Sequence, residues 1–273
     1  MEAATLTGVA AGVGSTDGTG PLDELGLRPL NARSLVLSVL LGQVRPSMSS
    51  GALARLGPVF GIQAGTMRTA LSRMVAAGEL VASNGEYRLT GPLLDRKAAQ
   101  DIGRRPAPAD WDGTWWTVIV TAPRRDVAER RAFRTTMANL RMGELRPDTW
   151  LRPANLPGPE DDAGLVVVRG PLRGLDDAGL VAQLWPLAEL AATARRLLTV
   201  LDERRPDLDG GTPDALAVAI GPSAAAVRFL RAEPLLPPAL TPTPWPPDEL
   251  RARYREFDAA FARALYTTVH AAT

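Results

Sequence analysis

Residues 61–90 constrain the fold most, because their pattern predicts a helix, a helix end and a tight hairpin in immediate succession. Apolar residues recur there at three- and four-residue spacing, which predicts one buried stripe along the helix. The stripe consists of Met67, Leu71, Met74 and Val75. Thr66 is placed to cap the helix at its N-terminus. Gly78 is placed to end it, because glycine tolerates the positive φ that this position requires.

A hairpin follows the helix without an intervening loop. Residues 79–83 and 86–90 are predicted strands, and Asn84-Gly85 between them is the dipeptide best suited to a type I′ turn. A helix with a polar outer face followed by a tight hairpin is the arrangement that a winged helix–turn–helix presents to DNA.

The residues upstream complete this arrangement. Helical spacing of apolar residues predicts a first helix over residues 31–43, followed by a turn at residues 46–50. Ser50 is expected to cap a second helix that ends near Phe60. We therefore predict a winged helix–turn–helix domain over residues 28–97.

The outer face of the predicted third helix carries polar side chains, two of them cationic and none acidic. An arginine can bond a guanine edge with two N–H groups at once, whereas Ser and Thr more often bond phosphates and fix the register. The candidate DNA contacts, which include one arginine of the hairpin, are Gln63, Thr66, Arg68, Thr69, Ser72, Arg73 and Arg88. The alternative is a helix face that is merely solvated.

Positive charge is concentrated in the same segment. Residues 28–97 contain nine Lys or Arg residues and three acids, a net charge of +6, whereas the remainder of the chain carries a net charge of −5. Release of counter-ions from phosphates favours the binding of such a segment to nucleic acid.

Composition argues against several other classes of protein. The chain has no cysteine and a single histidine, His270, near the C-terminus. Most nucleophile–base pairs and transition-metal sites therefore lack their parts, and we predict no enzymatic activity, no cofactor and no metal. The absence of cysteine fits a cytoplasmic location. No apolar run reaches the length of a membrane span, and residues 1–27, rich in Gly, Ala and Thr, are predicted to form a flexible tail.

The rest of the chain predicts an α+β multidomain protein. A polar spacer over residues 98–110 is expected to separate the first domain from the second. The order of elements over residues 111–201 is close to that of a ferredoxin-like α+β sandwich, and residues 202–273 are predicted to be mainly helical. The predicted elements of the middle domain are a strand (111–122), a helix (127–141), two strands (148–152 and 164–169) and a long helix (180–201).

The middle domain also carries candidate ligand-binding residues. Trp115 and Trp150 are suited to line a pocket for an aromatic ligand, and Arg131 and Arg134 are suited to meet its phosphates or carboxylate. Each pair has a structural alternative. The tryptophans would pack in a core, and the arginines would lie on a solvated helix face.

Short motifs along the chain resemble one family of bacterial transcription regulators. In chain order they are Arg68-Thr-Ala-Leu-Ser-Arg73, Gly85-Glu-Tyr-Arg-Leu-Thr90, Trp111-Asp-Gly-Thr-Trp115, Leu145-Arg-Pro-Asp-Thr-Trp150, Leu184-Trp185-Pro-Leu187, Leu235-Leu-Pro237 and Trp245-Pro246. On these motifs the chain resembles the phenylacetate-catabolism repressor (PaaX) family. It departs from the family pattern at residues 142–144, where the family carries Gly-Phe-Gly, and at Pro186.

The resemblance implies a winged-helix domain, a ferredoxin-like middle domain that supports dimerisation, and a helical C-terminal domain. It also implies a repressor that leaves DNA when an aryl-acyl coenzyme A thioester binds. We therefore predict a cytoplasmic, homodimeric transcriptional repressor that binds a palindromic operator in double-stranded DNA and is released by a small-molecule effector.

Two alternatives belong to other classes of protein. In the first, the winged helix binds protein and the chain is an adaptor. In the second, the chain is a metal-dependent nuclease, because Asp126 follows the first strand of the middle domain, where related ferredoxin-like nucleases carry a metal-binding acid.

Overall fold

A computed structural model describes residues 30–122, 126–160, 162–174, 176–210 and 212–270, and the predicted tail over residues 1–27 lies outside these ranges. The described residues form helices and two antiparallel sheets, as predicted for the α+β class. The helices are α1 (Ala32–Gly42), α2 (Ser50–Val59), α3 (Ala64–Ala76), α4 (Pro92–Arg104), α5 (Val127–Asn139), α6 (Asp177–Leu184), α7 (Leu187–Asp209), α8 (Pro213–Ala232), α9 (Pro246–His270) and a short 3-10 helix (Pro238–Leu240). The strands are β1 (Ser47–Ser49), β2 (Leu80–Ser83), β3 (Glu86–Leu89), β4 (Trp115–Val120), β5 (Gly143–Arg146), β6 (Thr149–Pro153) and β7 (Leu165–Gly170).

The N-terminal unit contains α1 to α3 and a three-stranded sheet in the order β1-β3-β2. The three helices and the hairpin are present in the predicted order. The predicted turn at residues 46–50 is wrong, because Ser47–Ser49 is a strand that pairs with β3 in the register Ser47 to Arg88. A three-residue strand is too short to show an alternating pattern, and its partner lies about forty residues away in sequence.

The structure shifts two predicted helix starts. Ser49, not Ser50, caps α2, and its hydroxyl accepts from the Ala52 amide at 3.2 Å. Helix α3 starts at Ala64, so Thr66 lies inside its first turn and does not cap it. The earlier start follows from the turn before it, because Gly61, at a φ of 66°, already reverses the chain after α2.

The end of α3 and the hairpin are confirmed. Gly78 has a φ of 69°, its amide donates to the Val75 carbonyl at 3.0 Å, and the Glu79 amide donates to the Met74 carbonyl at 2.9 Å. These two bonds form a Schellman motif, which satisfies carbonyls that the helix leaves unpaired. Positive φ at Asn84-Gly85 gives the expected tight turn between β2 and β3.

Helix α4 runs through the first part of the predicted spacer. Residues 98–104 continue the helix, which packs on α8 and α9. Its contact face contains Gln100 and Gly103, both buried. A Cβ at Gly103 would lie 2.3 Å from the Leu230 carbonyl oxygen, so the helices approach here to backbone contact. The sequence conceals this contact because the face lacks large apolar residues.

The middle unit has a four-stranded antiparallel sheet in the order β5-β6-β4-β7, the strand order of a ferredoxin-like fold. Helix α5 covers one face through Met137, and α6 covers part of the other through Leu180. Two details differ from prediction. Strand β5 was not predicted, and the predicted helix over residues 180–201 is two helices, α6 and α7. The break follows because Trp185 precedes Pro186 and takes an extended conformation.

Helices α7, α8 and α9 form the C-terminal bundle and share one core with the N-terminal unit. The predicted buried stripe of α9 is confirmed. Its residues are Leu250, Tyr254, Phe257, Phe261 and Leu265. Helix α8 is long and apolar enough over Asp214–Ala232 to cross a membrane by length and composition. Leu216, Ile220, Val227 and Leu230 are buried inside the protein, as in a core helix, whereas Val218 is 43% exposed.

Buried arginines hold these units together. The Arg141 guanidinium donates to the carbonyls of Leu230, at 3.2 Å, and Glu233, and burial lowers the pKa of Arg141 to about 10. Arg251 forms a buried ion pair with Glu233 and donates to the Gly103 carbonyl at 3.2 Å. This junction, made of Arg141, Glu233 and Arg251, therefore joins the end of α5 to α4, α8 and α9.

Candidate nucleic-acid interface

Helix α3 presents its polar face to solvent. Met67, Leu71 and Met74 are buried and fix the helix on the N-terminal core, as predicted. Val75 was predicted in the same stripe but is 37% exposed, because it lies at the edge of the buried arc. The predicted contact residues on this helix are all exposed; they are Thr66, Arg68, Thr69, Ser72 and Arg73.

Small residues occupy the middle of this exposed face. At about 100° per residue, Arg68 and Arg73 are separated by about 140° around the helix and about 7.5 Å along it. Gly65, Thr69, Ser72 and Ala76 lie between them, and all four are exposed. The backbone can therefore approach a partner closely while an arginine reaches out on either side. Sequence reasoning missed Gly65 and Ala76, although a projection around the helix axis was enough to find them.

The arginines of this surface lack internal partners. Within the described residues, Arg68, Arg73 and Arg88 make no ion pair and no hydrogen bond to another side chain. Arg88 lies on the outer face of the small sheet, opposite Val81 of β2 and Ser47 of β1. Their charge and donors are therefore available to an external ligand.

The first turn of α3 is also open. Gln63 occupies the cap position without a side-chain hydrogen bond, and it is exposed. The first intrahelical bond runs from the Met67 amide to the Gln63 carbonyl at 3.0 Å, so the N–H groups before Met67 have no acceptor within the helix. Free amides at the positive end of a helix dipole attract anions such as phosphate.

Four hydrogen bonds fix α3 and the hairpin to the rest of the N-terminal unit. Arg33 of α1 binds Glu79, just after α3, through both carboxylate oxygens, and its guanidinium lowers the pKa of that carboxyl. The Thr90 hydroxyl donates to the Gly78 carbonyl at 2.5 Å. The Ser50 amide donates to the Gly85 carbonyl at 2.8 Å and ties the tip of the hairpin to the start of α2.

The structure does not bring the candidate ligand residues Trp115 and Trp150 together. They point to opposite faces of the four-stranded sheet and belong to separate clusters. Trp115 is fully buried, and its indole N–H donates to the Asp177 carboxylate at 2.9 Å. Trp150 packs edge-on against Phe133 at 6.2 Å. Both tryptophans occupy the core, which was the structural alternative.

Arg131 and Arg134 do share a surface. Both are exposed on α5 and line an open groove together with Arg231 of α8. The Arg134 guanidinium pairs with Glu144 at 3.1 Å, so part of its donor capacity is already used.

Asp126 has a local structural partner. Its carboxylate accepts from the Glu129 amide, and the Glu129 carboxylate accepts from the Asp126 amide, both at 2.8 Å. This capping box starts α5 and uses the acid that the nuclease hypothesis assigned to a metal. Among the residues the structure describes, no three His, Cys, Asp or Glu side chains lie close enough to hold an ion.

The N-terminal unit combines a small sheet with an exposed cationic helix, and the middle unit has the strand order of a ferredoxin-like fold. Comparison with known families identifies the class of the protein. The model of the PaaX-like protein family matches residues 31–93, and that of the PaaX protein central Cas2-like domain matches residues 108–162. A comparison with curated proteins finds no match.

A solved structure extends the match over most of the chain. An uncharacterized protein from Mycobacterium tuberculosis, Rv0674, is 38% identical with a TM-score of 0.66, and the match covers 87% of this chain and 98% of that one. The chain therefore belongs to the PaaX-like family, a family of transcriptional regulators rather than of enzymes.

Proposed function

We propose that the protein is a homodimeric transcriptional repressor that binds a palindromic operator through α3 and leaves it when a small-molecule effector binds. The observation that carries the proposal is the outer face of α3, where Arg68 and Arg73 are exposed and have no partner among the described residues. A cationic face without internal partners has its binding capacity available for phosphates and base edges.

The order of elements supports a winged helix–turn–helix. Helix α2, the turn at Gly61 and helix α3 correspond to the helix–turn–helix, with α3 as the recognition helix. Strands β2 and β3 correspond to the wing. Arg88 on β3 is then positioned to bond a phosphate beside the groove.

The proposed contacts follow from the geometry of α3. The small residues Gly65 and Ala76 let the helix enter a major groove deeply, and Arg68 and Arg73 diverge toward opposite sides of that groove. Arginine in this position reads guanine through paired N–H groups. Thr69 and Ser72 contribute oxygen atoms to the same face, although the Thr69 hydroxyl proton is bonded to the Gly65 carbonyl at 3.0 Å.

An apolar strip on the middle unit supports the proposed dimer. Ile119, Val166 and Val168 are 39%, 43% and 48% exposed and lie on the same face of β4 and of the edge strand β7. Covering such a strip with a second copy would bury it. Two recognition helices on one dimer would then reach half-sites separated by a multiple of a helical turn. The proposed effector is an aryl-acyl coenzyme A thioester or a related catabolite, and the proposed location is the cytoplasm.

Selection of DNA sequences by the purified protein tests the proposal. A selected duplex should contain an inverted repeat and bind about 1,000-fold or more tightly than a scrambled duplex. Its affinity should fall steeply between 50 and 200 mM salt, by roughly 1,000-fold for six phosphate contacts. Failure to enrich any sequence, with little dependence on salt, would instead favour an adaptor that binds protein through the same surface.

A further inference from the structure

A cavity of about 740 Å³ lies between α1 of the N-terminal unit and helices α4, α8 and α9. This volume is in the range of small-molecule sites. The cavity is separate from the surface of α3 and from the groove on α5, apart from Arg231, which contributes to both the cavity and the groove.

One wall of the cavity is cationic. Arg96 of α4 and Arg228 and Arg231 of α8 line it, and within the described residues none of the three pairs with an acid. Partial burial lowers the pKa of Arg96, and the nearby guanidinium groups of Arg231, Arg33 and Arg228 lower it further. Like charges held together without a counter-charge favour an anion between them.

The cavity also contains polar groups without partners. Gln100 is 5% exposed, and its side-chain oxygen has no hydrogen-bond donor; the Nε of Arg104 has no acceptor. Both atoms are buried, so a ligand reaches them only if the Gln100 and Arg104 side chains turn toward the cavity; pairing them with the ligand would remove a cost of about 1–3 kcal/mol for each unpaired group. Asp258 is the one acid among the described lining residues, and it already lies 3.7 Å from Arg104.

Another part of the lining is apolar. It consists of large side chains of α1, α8 and α9, namely Leu37, Leu41, Ile220, Phe261 and Leu265. A cavity lined by both cationic and large apolar side chains matches a molecule that has an anionic group and an apolar body.

We propose that this cavity binds a small organic anion with an apolar body, and that the effector acts from it. That the effector acts from the cavity rests on the proposed function, whereas the binding of an organic anion there is argued from the cavity alone. The anionic group binds Arg96, Arg228 and Arg231, and the apolar body contacts Phe261 and the other large apolar side chains of the lining.

The position of the cavity connects it to α3. Helix α2 packs directly on α9, and the Arg55 Nε donates to the Val269 carbonyl at 2.7 Å. Helix α1 packs on α3 and lines the cavity from the other side. A ligand that wedges α1 away from α8 and α9 while α2 stays docked turns the N-terminal unit, and so changes the spacing of the two recognition helices in a dimer.

The first test measures binding without DNA. The probe is 1-anilinonaphthalene-8-sulfonate, an aromatic body with one anionic group, followed by its fluorescence on titration. Ala262 lines the cavity and Ala259, on the same helix, does not. Both are exposed. Ala262→Trp should abolish saturable binding of the probe, and Ala259→Trp should leave it unchanged.

The cationic wall is tested with a second matched pair. Arg228→Gln should weaken binding of the probe about tenfold, because it removes a charge-assisted hydrogen bond. Arg255→Gln removes the same charge from an exposed position on α9 outside the cavity and should have no effect. Millimolar pyrophosphate should compete with the probe in the wild type. Absence of saturable binding, or equal binding by Ala262→Trp and the wild type, overturns the assignment.

A shift assay on the selected duplex separates this inference from the proposed function. If phenylacetyl coenzyme A releases the DNA, it should also displace the probe, and Ala262→Trp should stay bound to DNA in its presence. Release without displacement places the effector elsewhere and contradicts the inference while the repressor function stands. If phenylacetyl coenzyme A displaces the probe but the protein binds no DNA, the repressor function is contradicted and the cavity assignment stands.

Discussion

On the outer face of α3 the guanidinium groups of Arg68 and Arg73 are exposed and find no partner among the described residues, whereas at the junction Arg141 and Arg251 are 5% and 2% exposed. The two buried arginines, Arg141 and Arg251, are bonded to carbonyl and carboxylate oxygens of α4, α8 and the segment after α8. Burying a charge is costly unless its hydrogen bonds are made, so the junction arginines are committed to the fold. The arginines of α3 contribute little to the fold and are free to bind.

The largest expected effect concerns the junction. Arg251→Ala leaves the buried Glu233 carboxylate without its partner and should lower the free energy of unfolding by about 3–5 kcal/mol. Arg253 lies on the same helix but is half-exposed, and Arg253→Ala should change the free energy of unfolding by less than about 1 kcal/mol. Urea unfolding followed by circular dichroism measures both. An equal loss of the free energy of unfolding in the two variants would contradict the view that the junction arginines stabilise the fold more than exposed arginines do.

The next effect concerns α3 and leaves stability unchanged. Arg73→Ala should weaken binding to the selected duplex by about 1–3 kcal/mol if the side chain reads a base. The free energy of unfolding should change by less than about 0.5 kcal/mol, since the side chain is exposed and unpaired. Fluorescence anisotropy with labelled duplex gives the first quantity. Arg255→Ala is the control for net charge, and an equal loss of affinity there would show that Arg73 acts only through bulk charge.

The smallest effect concerns an arginine between the two extremes. Arg33 is half-exposed, and its bond to Glu79 lowers the pKa of that carboxyl. A carboxyl group whose pKa is lowered by folding stabilises the fold at a pH above its ordinary pKa. This stabilisation is lost as the pH falls through the lowered pKa. Arg33→Gln should therefore cost less than about 1 kcal/mol at pH 7 and nothing at pH 2. A cost that persists at pH 2 would mean that Arg33 acts through packing and not through charge.

The sequence predicts α3 and its hairpin well because their signals are local. The stripe of Met67, Leu71 and Met74, the helix end at Gly78 and the turn at Asn84-Gly85 all depend on residues within one turn of each other. The exposed face of α3 follows from the same periodicity. The exposure of the candidate DNA contacts on α3 could therefore be predicted from the sequence, whereas their binding to DNA stays a prediction.

Features that depend on distant partners could not be predicted in this way. Strand β1 exists because β3 offers it an edge, and the contact face of α4 shows only small or polar residues such as Gly103. The cationic wall of the cavity combines Arg96 with Arg228, which come together only when α4 packs on α8. The opposite orientations of Trp115 and Trp150 depend on strand register, which periodicity within either strand leaves undetermined.

The bond between the Ser50 amide and the Gly85 carbonyl couples the hairpin tip to the helix before α3. Helix α3 and the hairpin, the proposed DNA-binding elements, are consequently held as one rigid unit. Any change of shape on binding must then occur in the DNA. Base pairs that bend or narrow easily would then be preferred at operator positions beyond the reach of any side chain.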